Sequence, residues 1–463
     1  MTLSHKSIGL NLILLLLFVS CEQIVKVDPP HNQLISQTVF DSETAAVSAI
    51  NGLYSKMMQG NAQFGSSAIT LLAGLSADEF YNATPGIYSE FADNAIASSN
   101  TVVRTNIWSQ AYNLIYQANS IIEGVDRSSH LSSEVRNQLT GEGLFIRAFC
   151  HFYLVNLFGD IPLITTTNYL DNLSKPRSRK EDVYRQIEND LELSKTLLNN
   201  NYPQAERIRP NKWVATALLS RVYLYTNKLE QAVANASEVL ARSEYSLEIS
   251  PANVFKRTSQ EAIWQMAPVQ PGNNTWEGIL FIPFDNTIPT YPLRTGLSND
   301  FELHDARKIF WIDSKVINGV RYDFPAKYKI RASSTVTEYY VVFRLAEQYL
   351  IRAEGFIRQG KITEGISDLN ILRTRASNGS GNTLKPIEQS LSQEQALNVV
   401  LKERRIELFA EWGHRWFDLR RWGIADAIIK AQKNNDIKPS DLFFPIPSTE
   451  ILRNPKLIQN EGY

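Results

Sequence analysis

Apolar residues recur at three- and four-residue spacing in one segment after another, and this period limits the chain to a mainly helical fold. The spacing places apolar side chains on one face of a helix and leaves charged side chains on the opposite face. It predicts helices at 42–58, 106–125, 133–158, 180–199, 211–225, 229–242, 343–358, 362–375 and 392–410.

Some of these helices follow each other closely enough to form antiparallel pairs. When Lys228 is aligned with Lys361, small residues recur at corresponding positions, Ala232 and Gly365 among them. Small residues allow two helices to cross closely, as they do in tetratricopeptide-like repeats. The predicted helix pairs lie near 106–242 and 343–375. Generic helical hairpins remain an alternative interpretation.

The helical period fails in two regions. Residues 243–341 contain short apolar runs, scattered Pro, Gly, Trp and Tyr, and the stretch PVQPGNNTWEG. Residues 76–94, SADEFYNATPGIYSEFADN, mix aromatics with Asn, Asp and Gly. We predict irregular structure with a few short strands there. Loops on a rigid frame are where recognition usually takes place.

The N-terminus, MTLSHKSIGLNLILLLLFVSCEQ, reads as an export signal followed at once by a cysteine. Cleavage before Cys21 would free that residue for acylation, so we predict a lipoprotein signal at 1–20, a lipidated tether at 21–40 and a single domain at 41–463. A plain secretory signal is the alternative. Cys150 is the other cysteine of the chain, so with Cys21 lipidated no intramolecular disulfide can form.

Charge and motifs exclude several classes of function. The formal net charge of −1 provides no field that would attract nucleic acid. The sequence contains no HExxH, no GxSxG, no phosphate-binding lysine loop and no Cys/His spacing typical of a metal site. We therefore predict no enzyme activity, no catalytic residue, no metal and no cofactor. Pairs of acids of the kind that glycoside hydrolases use occur by chance in a chain with 48 Asp and Glu.

The block ERRIELFAEWGHRWFDLRRWG, residues 403–423, is the densest cluster of charge and tryptophan. Its five arginines and four acids nearly cancel, whereas a nucleic-acid site would keep an excess of cations. We interpret it as a buried charge network with Gly413 separating two helices. Helical spacing allows Arg404 to pair with Glu407, and Arg415 to pair with Glu411.

The same block closely resembles the C-terminal signature of the SusD/RagB family of nutrient-binding lipoproteins from Bacteroidetes. Three further stretches agree with that family: IRAFCHFYLVNLFGDIPL at 146–163, FRLAEQYLIRAEGFIRQGK at 343–361, and the C-terminal LFFPIPSTEILRNPKLIQNEGY. With the N-terminal signal, the resemblance covers essentially the whole chain.

This resemblance implies a SusD-like helical scaffold with tetratricopeptide-like pairs and an irregular, loop-rich ligand-binding face. It implies a lipid-anchored protein on the outer membrane, facing the cell exterior. The expected partner is a SusC-like TonB-dependent transporter, to which the protein would deliver oligosaccharide without chemistry. A lipid-anchored helical scaffold that binds protein or peptide is the alternative.

The family motifs are structural, so physical chemistry has to indicate the ligand-binding residues. A sugar ring presents an apolar face and a rim of hydroxyls, and it needs aromatic side chains beside polar ones. Two regions fit, and the predicted ligand-binding residues are Asp78, Tyr81, Asn82 and Tyr88 in the first, and Asn273, Asn274, Trp276 and Tyr291 in the second. Trp276 is the foremost stacking candidate, while Trp311 and Tyr322 are weaker candidates because strands can bury them.

Overall fold

The computed structural model describes residues 39–377 and 383–463, and this part of the chain is mainly helical. The helices are α1 (Glu43–Met57), α2 (Ala68–Ser76), α3 (Ser89–Ala92), α4 (Ser109–Arg127), α5 (Ser133–Phe158), α6 (Tyr169–Leu173), α7 (Lys180–Leu197), α8 (Lys212–Tyr225), α9 (Leu229–Leu240), α10 (Trp276–Phe281), α11 (Thr295–Asp300), α12 (Ala306–Trp311), α13 (Leu345–Arg358), α14 (Ile362–Ser377), α15 (Gln393–Leu408), α16 (His414–Arg421), α17 (Ala425–Lys433) and α18 (Ser448–Arg453). The strands are β1 (Ala262–Met266), β2 (Ile312–Ile317), β3 (Val320–Pro325) and β4 (Tyr340–Arg344).

Helix α5 runs through the centre of the fold and is buried along most of its length. It begins where the Ser132 hydroxyl accepts a hydrogen bond from the Val135 amide, and it ends at Gly159, which adopts a φ of +75°. A polar N-cap and a glycine beyond the last turn are the signals that helix ends need. The predicted helix 133–158 is therefore confirmed at both ends.

Two helix pairs, α8 with α9 and α13 with α14, stack against each other through α9 and α13. A Cβ added to Gly365 would lie 2.8 Å from the carbonyl oxygen of Ala353, so α13 and α14 approach closely at that glycine. A Cβ on Gly355 would meet Val233 of α9 at 2.5 Å. Small residues thus set the helix separations, which confirms the prediction of tetratricopeptide-like pairs.

The predicted short strands occur at 262–344, and β4 takes up the first two residues of the predicted helix 343–358, which begins at Leu345. β1 pairs antiparallel with β4, and β2 with β3 form a hairpin in which Ile317 faces Val320. Asn318 and Gly319 both have positive φ, as a two-residue hairpin turn requires. The region also contains the six-residue helices α10, α11 and α12, which are too short to show a helical period in the sequence.

The boundary predicted between tether and domain needs a correction. Val39 to Asp41 form a short 3-10 turn, and Phe40 is buried against Gly124 of α4. The folded part therefore includes residues from at least 39 onward. The predicted signal, the lipidation site Cys21 and most of the tether lie outside the described residues, so this division of the chain stays a prediction.

The signature block 403–423 folds as α15 and α16 joined by a sharp turn. Ala410, Trp412 and Gly413 in that turn all have positive φ. A Cβ on Gly413 would lie 2.7 Å from the Cβ of Ala73 on α2. Backbone conformation and close packing both require glycine there, which confirms that Gly413 separates two helices.

Most of the charged side chains of the block are buried and paired. Glu407 accepts hydrogen bonds from Arg344 at 2.6 Å, from Arg307 at 2.9 Å and from Arg375. Burial alone would raise the pKa of Glu407, but the three guanidinium groups hold it far below its ordinary value. The interpretation of this block as scaffold is confirmed.

The predicted pairs within the block are wrong. Arg404 pairs with Asp418, at 2.7 and 3.1 Å, and Arg415 pairs with Asp78. The i,i+3 and i,i+4 rule describes exposed neighbours on one helix, whereas these side chains point into the core and meet partners from other elements. Sequence spacing alone carries no information on such partners.

Candidate functional site

Residues 76–94 form a surface loop that carries Tyr81 and Tyr88, and a single lysine holds both of its ends. This residue is Lys433, at the end of α17. Its Nζ donates to Leu75 O (2.6 Å), Ser76 O (3.0 Å), Ala92 O (3.0 Å) and Asn94 Oδ1 (2.7 Å). Because these oxygens belong to both ends of the loop, one ammonium group closes it at its base.

A second loop, residues 282–294, runs alongside the first. The backbone amides of Tyr81 and Ala83 donate to the carbonyl oxygens of Pro292 and Thr290, both at 3.1 Å. Tyr291 lies between these two acceptors in sequence. The structure thus brings together Tyr81 and Tyr291, which lie more than 200 positions apart in the sequence.

The two loops and strand β3 present a group of aromatic side chains that we call the aromatic face: Tyr81, Tyr88, Phe284 and Tyr322. The ring of Tyr88 rests on Tyr291, with centroids 6.3 Å apart and planes at 56°. Tyr291 is only 8% exposed and supports the face from below, whereas Phe284 is 64% exposed. The face therefore offers apolar planes to solvent on a packed base.

The phenols of Tyr81 and Tyr88 are neutral at physiological pH. Partial burial, and secondarily the nearby phenol of Tyr322, raise the pKa of Tyr81. Partial burial also raises the pKa of Tyr88. Neutral phenols can both donate and accept hydrogen bonds. The half-buried Asn82 adds an amide whose nitrogen lies 3.5 Å from Ser89 Oγ, at the limit of a hydrogen bond.

Asp78 is not available to a ligand, which corrects its assignment as a ligand-binding residue. It is fully buried and accepts hydrogen bonds from Arg415 at 2.7 and 3.0 Å and from Arg405 at 2.6 Å. Burial alone would raise its pKa, but the two guanidinium groups keep the pKa of Asp78 below its ordinary value. Asp78 ties the base of the first loop to the signature block.

Asn274 is also structural. It is fully buried, and its Oδ1 accepts from the amides of Thr337 at 2.7 Å and Glu338 at 3.0 Å. Its Nδ2 donates to the carbonyl oxygen of Thr335, so both ends of the amide bond to the protein itself. The assignment of Asn274 as a ligand-binding residue is therefore wrong. The neighbouring Asn273 is half-buried and contacts Gln270.

The prediction that Trp276 lies in a loop is wrong, because Trp276 is the first residue of α10. Its indole N–H donates to the carbonyl oxygen of Met58 at 2.9 Å, and its ring packs against the hydrophobic core. The side chain is only half-buried, so part of the ring reaches solvent. Trp311, the weaker tryptophan candidate, is 1% exposed and belongs to the core.

Two carboxyl groups have pKa values of about 8. Burial and the adjacent Asp78 carboxylate raise the pKa of Glu79, and burial raises the pKa of Glu277. Each of the two glutamates is 1% exposed. A glycosidase needs its carboxyl pair in a cleft open to substrate, which these two residues do not provide.

Two further properties belong to the described part of the chain. Within residues 39–377 and 383–463, no three His, Cys, Asp or Glu side chains are grouped so that they could hold a metal ion. Over the same ranges, no helix combines the length and the apolar character needed to cross a bilayer.

The sequence pattern did not indicate Phe284 or Lys433 as residues of the candidate site. Phe284 stands in IPFDNT, a stretch of Pro, Asp and Asn that is typical of an exposed loop, and this signal could have identified it. The Arg331 guanidinium lies 3.7 Å from its ring centroid. Lys433 carries no such signal, because its acceptors lie about 340 positions away.

Comparison with known proteins gives the same family along the chain. Residues 27–224 match a family model described as starch-binding, associating with the outer membrane, and residues 315–463 match the SusD family model. SusD-like protein P25 of Formosa agariphila is 25% identical, with 96% of this chain and 97% of that protein covered. The starch-binding protein SusD of Bacteroides thetaiotaomicron is 34% identical over 122 residues, which cover 26% of this chain and 21% of that protein.

Solved structures share the fold. A SusD superfamily protein from Bacteroides vulgatus superimposes with a TM-score of 0.78 at 20% identity, covering 92% of this chain and all of that one. A laminarin-binding SusD-like protein superimposes with a TM-score of 0.74 at 22% identity, covering 91% of this chain and 99% of that one.

The helical pairs, the buried signature block and the two family models that match separate parts of the chain lead to one conclusion. The chain belongs to the SusD/RagB family of carbohydrate-binding proteins.

Proposed function

We propose that the protein captures oligosaccharide on the aromatic face and delivers it, without chemistry, to a SusC-like TonB-dependent transporter in the outer membrane. The observation that carries the proposal is the junction of the two loops. Backbone hydrogen bonds join them, and they carry the half-buried Tyr81 and Tyr88 and the exposed Phe284. A site on such a fixed base is largely preformed.

The geometry suits a sugar chain. The apolar face of a pyranose ring can lie on Phe284 or Tyr88, while the neutral phenols exchange hydrogen bonds with the ring hydroxyls. Phe284 is 64% exposed, so a ligand reaches it without displacing protein. Contacts that are partly open to solvent give weak binding, and weak binding allows the ligand to be passed on.

The description of the N-terminal family model supports outer-membrane association. On the resemblance stated above, lipidation of Cys21 provides the anchor, the protein faces the cell exterior, and the side of the helix pairs packs against the transporter. Chemistry on the glycan is left to other proteins.

Calorimetry on the chain that begins at Glu22 tests the capture step, with starch, laminarin, xylan and mannan oligosaccharides and a peptide library as ligands. Phe284→Ala and Tyr88→Ala should each weaken glycan binding about tenfold, the effect of removing one stacking contact. Tyr463→Ala is the matched control, because this aromatic residue is 37% exposed and lies outside the aromatic face. Equal affinity in all three variants would contradict the proposal.

Co-expression with a SusC-like transporter from the same genome tests the delivery step. A complex that survives purification, and uptake that requires both proteins, support delivery. Saturable peptide binding without glycan binding would instead support the alternative of a scaffold for protein or peptide.

A further inference from the structure

A second aromatic cleft lies between α4, α6 and α18, none of which contributes to the aromatic face. We call it the tyrosine groove, and its volume is about 580 Å³. Its lining includes Tyr112, Tyr116, Tyr169, Leu173, Arg453 and Leu457. The volume lies in the range of about 300 to 1,000 Å³ that is typical of sites for small ligands.

The walls of the groove are held by internal hydrogen bonds. The Tyr112 hydroxyl donates to the carbonyl oxygen of Pro162 at 2.9 Å, and the Asn454 amide donates to that of Lys175 at 2.8 Å. Glu123 accepts from the Thr167 amide at 2.8 Å, which fixes the segment leading to α6. The groove is therefore preformed, and a ligand would not have to order it.

Two tyrosines stand open to solvent in the groove. Tyr116 on α4 is 51% exposed, and Tyr169 on α6 is 68% exposed. Below them, Trp108 is 4% exposed and packs on Tyr112 with ring centroids 4.9 Å apart. Exposed aromatic rings that come together above a packed aromatic floor mark a surface for binding.

Polar groups accompany these rings. Asn172 donates through Nδ2 to the carbonyl oxygen of Thr166 at 2.8 Å, but within residues 39–377 and 383–463 its Oδ1 receives no hydrogen bond. Glu450 and Arg453 lie at the rim, 3.1 Å apart, with Arg453 70% exposed. The groove thus combines apolar planes with three polar groups. These are the Asn172 oxygen, which has no donor, the Glu450 carboxylate and the Arg453 guanidinium.

We propose that the tyrosine groove is a second oligosaccharide-binding site. Rings with two apolar faces and a rim of hydroxyls fit both the tyrosine planes and the polar groups, whereas an acyl chain offers no hydrogen-bond partner to Asn172, Glu450 or Arg453. A protein partner typically buries about 800 Å² of a broad surface, rather than filling a small cleft. The proposal goes beyond the proposed function, because it concerns other residues and can fail independently.

Two sites on one chain change the response to ligand length. A polysaccharide long enough to reach both sites binds with avidity, whereas a short oligosaccharide occupies each site separately. The groove would thereby favour long glycans over short ones.

Affinity electrophoresis in gels that contain starch, laminarin, xylan, mannan or pectin tests the inference. Two double variants are compared. The groove variant combines Tyr116→Ala with Tyr169→Ala, and the second variant combines Phe284→Ala with Tyr88→Ala on the aromatic face. Tyr116 and Tyr169 are both exposed, so their loss should not unfold the protein. Tyr116→Phe with Tyr169→Phe keeps the rings and is the matched control. Calorimetry with a hexasaccharide of the retarding glycan then gives the number of sites.

We expect the groove variant to weaken retardation by polysaccharide at least about tenfold and to reduce the number of hexasaccharide sites from two to one. The phenylalanine variant should bind like wild type. The inference is overturned if the groove variant keeps full retardation and site number, or if it loses only association with the transporter. If only the Phe284 and Tyr88 variant loses glycan binding, the proposed function stands and the second site is refuted. If only the groove variant loses glycan binding, the second site stands and binding on the aromatic face is refuted.

Discussion

Replacement of Lys433 by methionine should release the first loop of the aromatic face while the rest of the fold stays closed. Methionine keeps most of the apolar stem and removes the ammonium group. Four oxygens then lose their common donor, two at each end of residues 76–94.

The size of the effect follows from the donors. An ammonium group has three N–H bonds, so at most three of the four contacts are full hydrogen bonds at any moment. Lys433 is only partly buried, so each bond contributes about 1 kcal/mol, below the range for fully buried charged pairs. The loop should lose roughly 3 kcal/mol of local stability, which corresponds to opening about a hundredfold more often.

Hydrogen–deuterium exchange with mass spectrometry measures this opening. Peptides from 76–94 should exchange about a hundredfold faster in Lys433→Met, while peptides from α9 stay unchanged. Lys430→Met is the matched control, because Lys430 lies on the same helix and its bridge to Asp436 is exposed to solvent. The variant should also bind glycan more weakly, since Tyr81 and Tyr88 lose their fixed position.

Unchanged exchange in 76–94 would refute the reasoning. It would mean that the other bonds of the loop suffice to hold it, among them Asn94 Nδ2 to Ser76 O at 2.9 Å and those of Asp78 to Arg405 and Arg415. Exchange that rises equally in α9 would also refute it, because the lysine would then support the whole fold and not the loop.

Three further predictions concern the scaffold. Burial raises the pKa of Glu277 to about 8, so its contribution to stability is full below about pH 4.5 and is lost as pH rises through 8. The free energy of unfolding of the wild type should therefore decline between pH 5 and 8. Glu277→Gln should reduce this decline by up to about 1.4 kcal/mol per pH unit, as measured by denaturant titrations. Glu407→Gln removes an anion from beside three buried arginines and should lower the free energy of unfolding by about 3 to 5 kcal/mol. A decrease of less than about 1 kcal/mol in urea unfolding would contradict this. Gly413→Ala adds a methyl group 2.7 Å from Ala73 at a positive φ and should lower the free energy of unfolding by roughly 2 kcal/mol or more, visible as a lower Tm.

Helix positions could be predicted where one face of the helix is apolar and its ends carry capping signals. The segment 133–158 meets both conditions, and its bounds agree with α5. Helix α2 does not, because all nine of its residues are buried and no polar face marks a period. The six-residue helix α10 is too short for any period, so the sequence pattern predicts a loop at Trp276.

The candidate site could be predicted only in part, for a similar reason. Aromatics among Asn, Asp and Gly indicated the surface loop that carries Tyr81 and Tyr88. Nothing local distinguishes the buried Asp78 from an exposed aspartate, because its burial depends on Arg415, 337 positions away. Spacing within a helix describes neighbours on one element, whereas the core is built from pairs between distant elements.

The pairing of Asp78 with Arg415 also bears on how the chain reaches its fold. Synthesis from the N-terminus makes Asp78 long before Arg405 and Arg415 exist, and a carboxylate buried without its cations is strongly unfavourable. The first loop therefore cannot settle on the core until the C-terminal signature is present. Contacts of such long range also slow folding. We expect a chain that ends before Arg405 to stay partly open and accessible to proteases, so that the residues that stabilise the finished protein also distinguish complete chains from truncated ones.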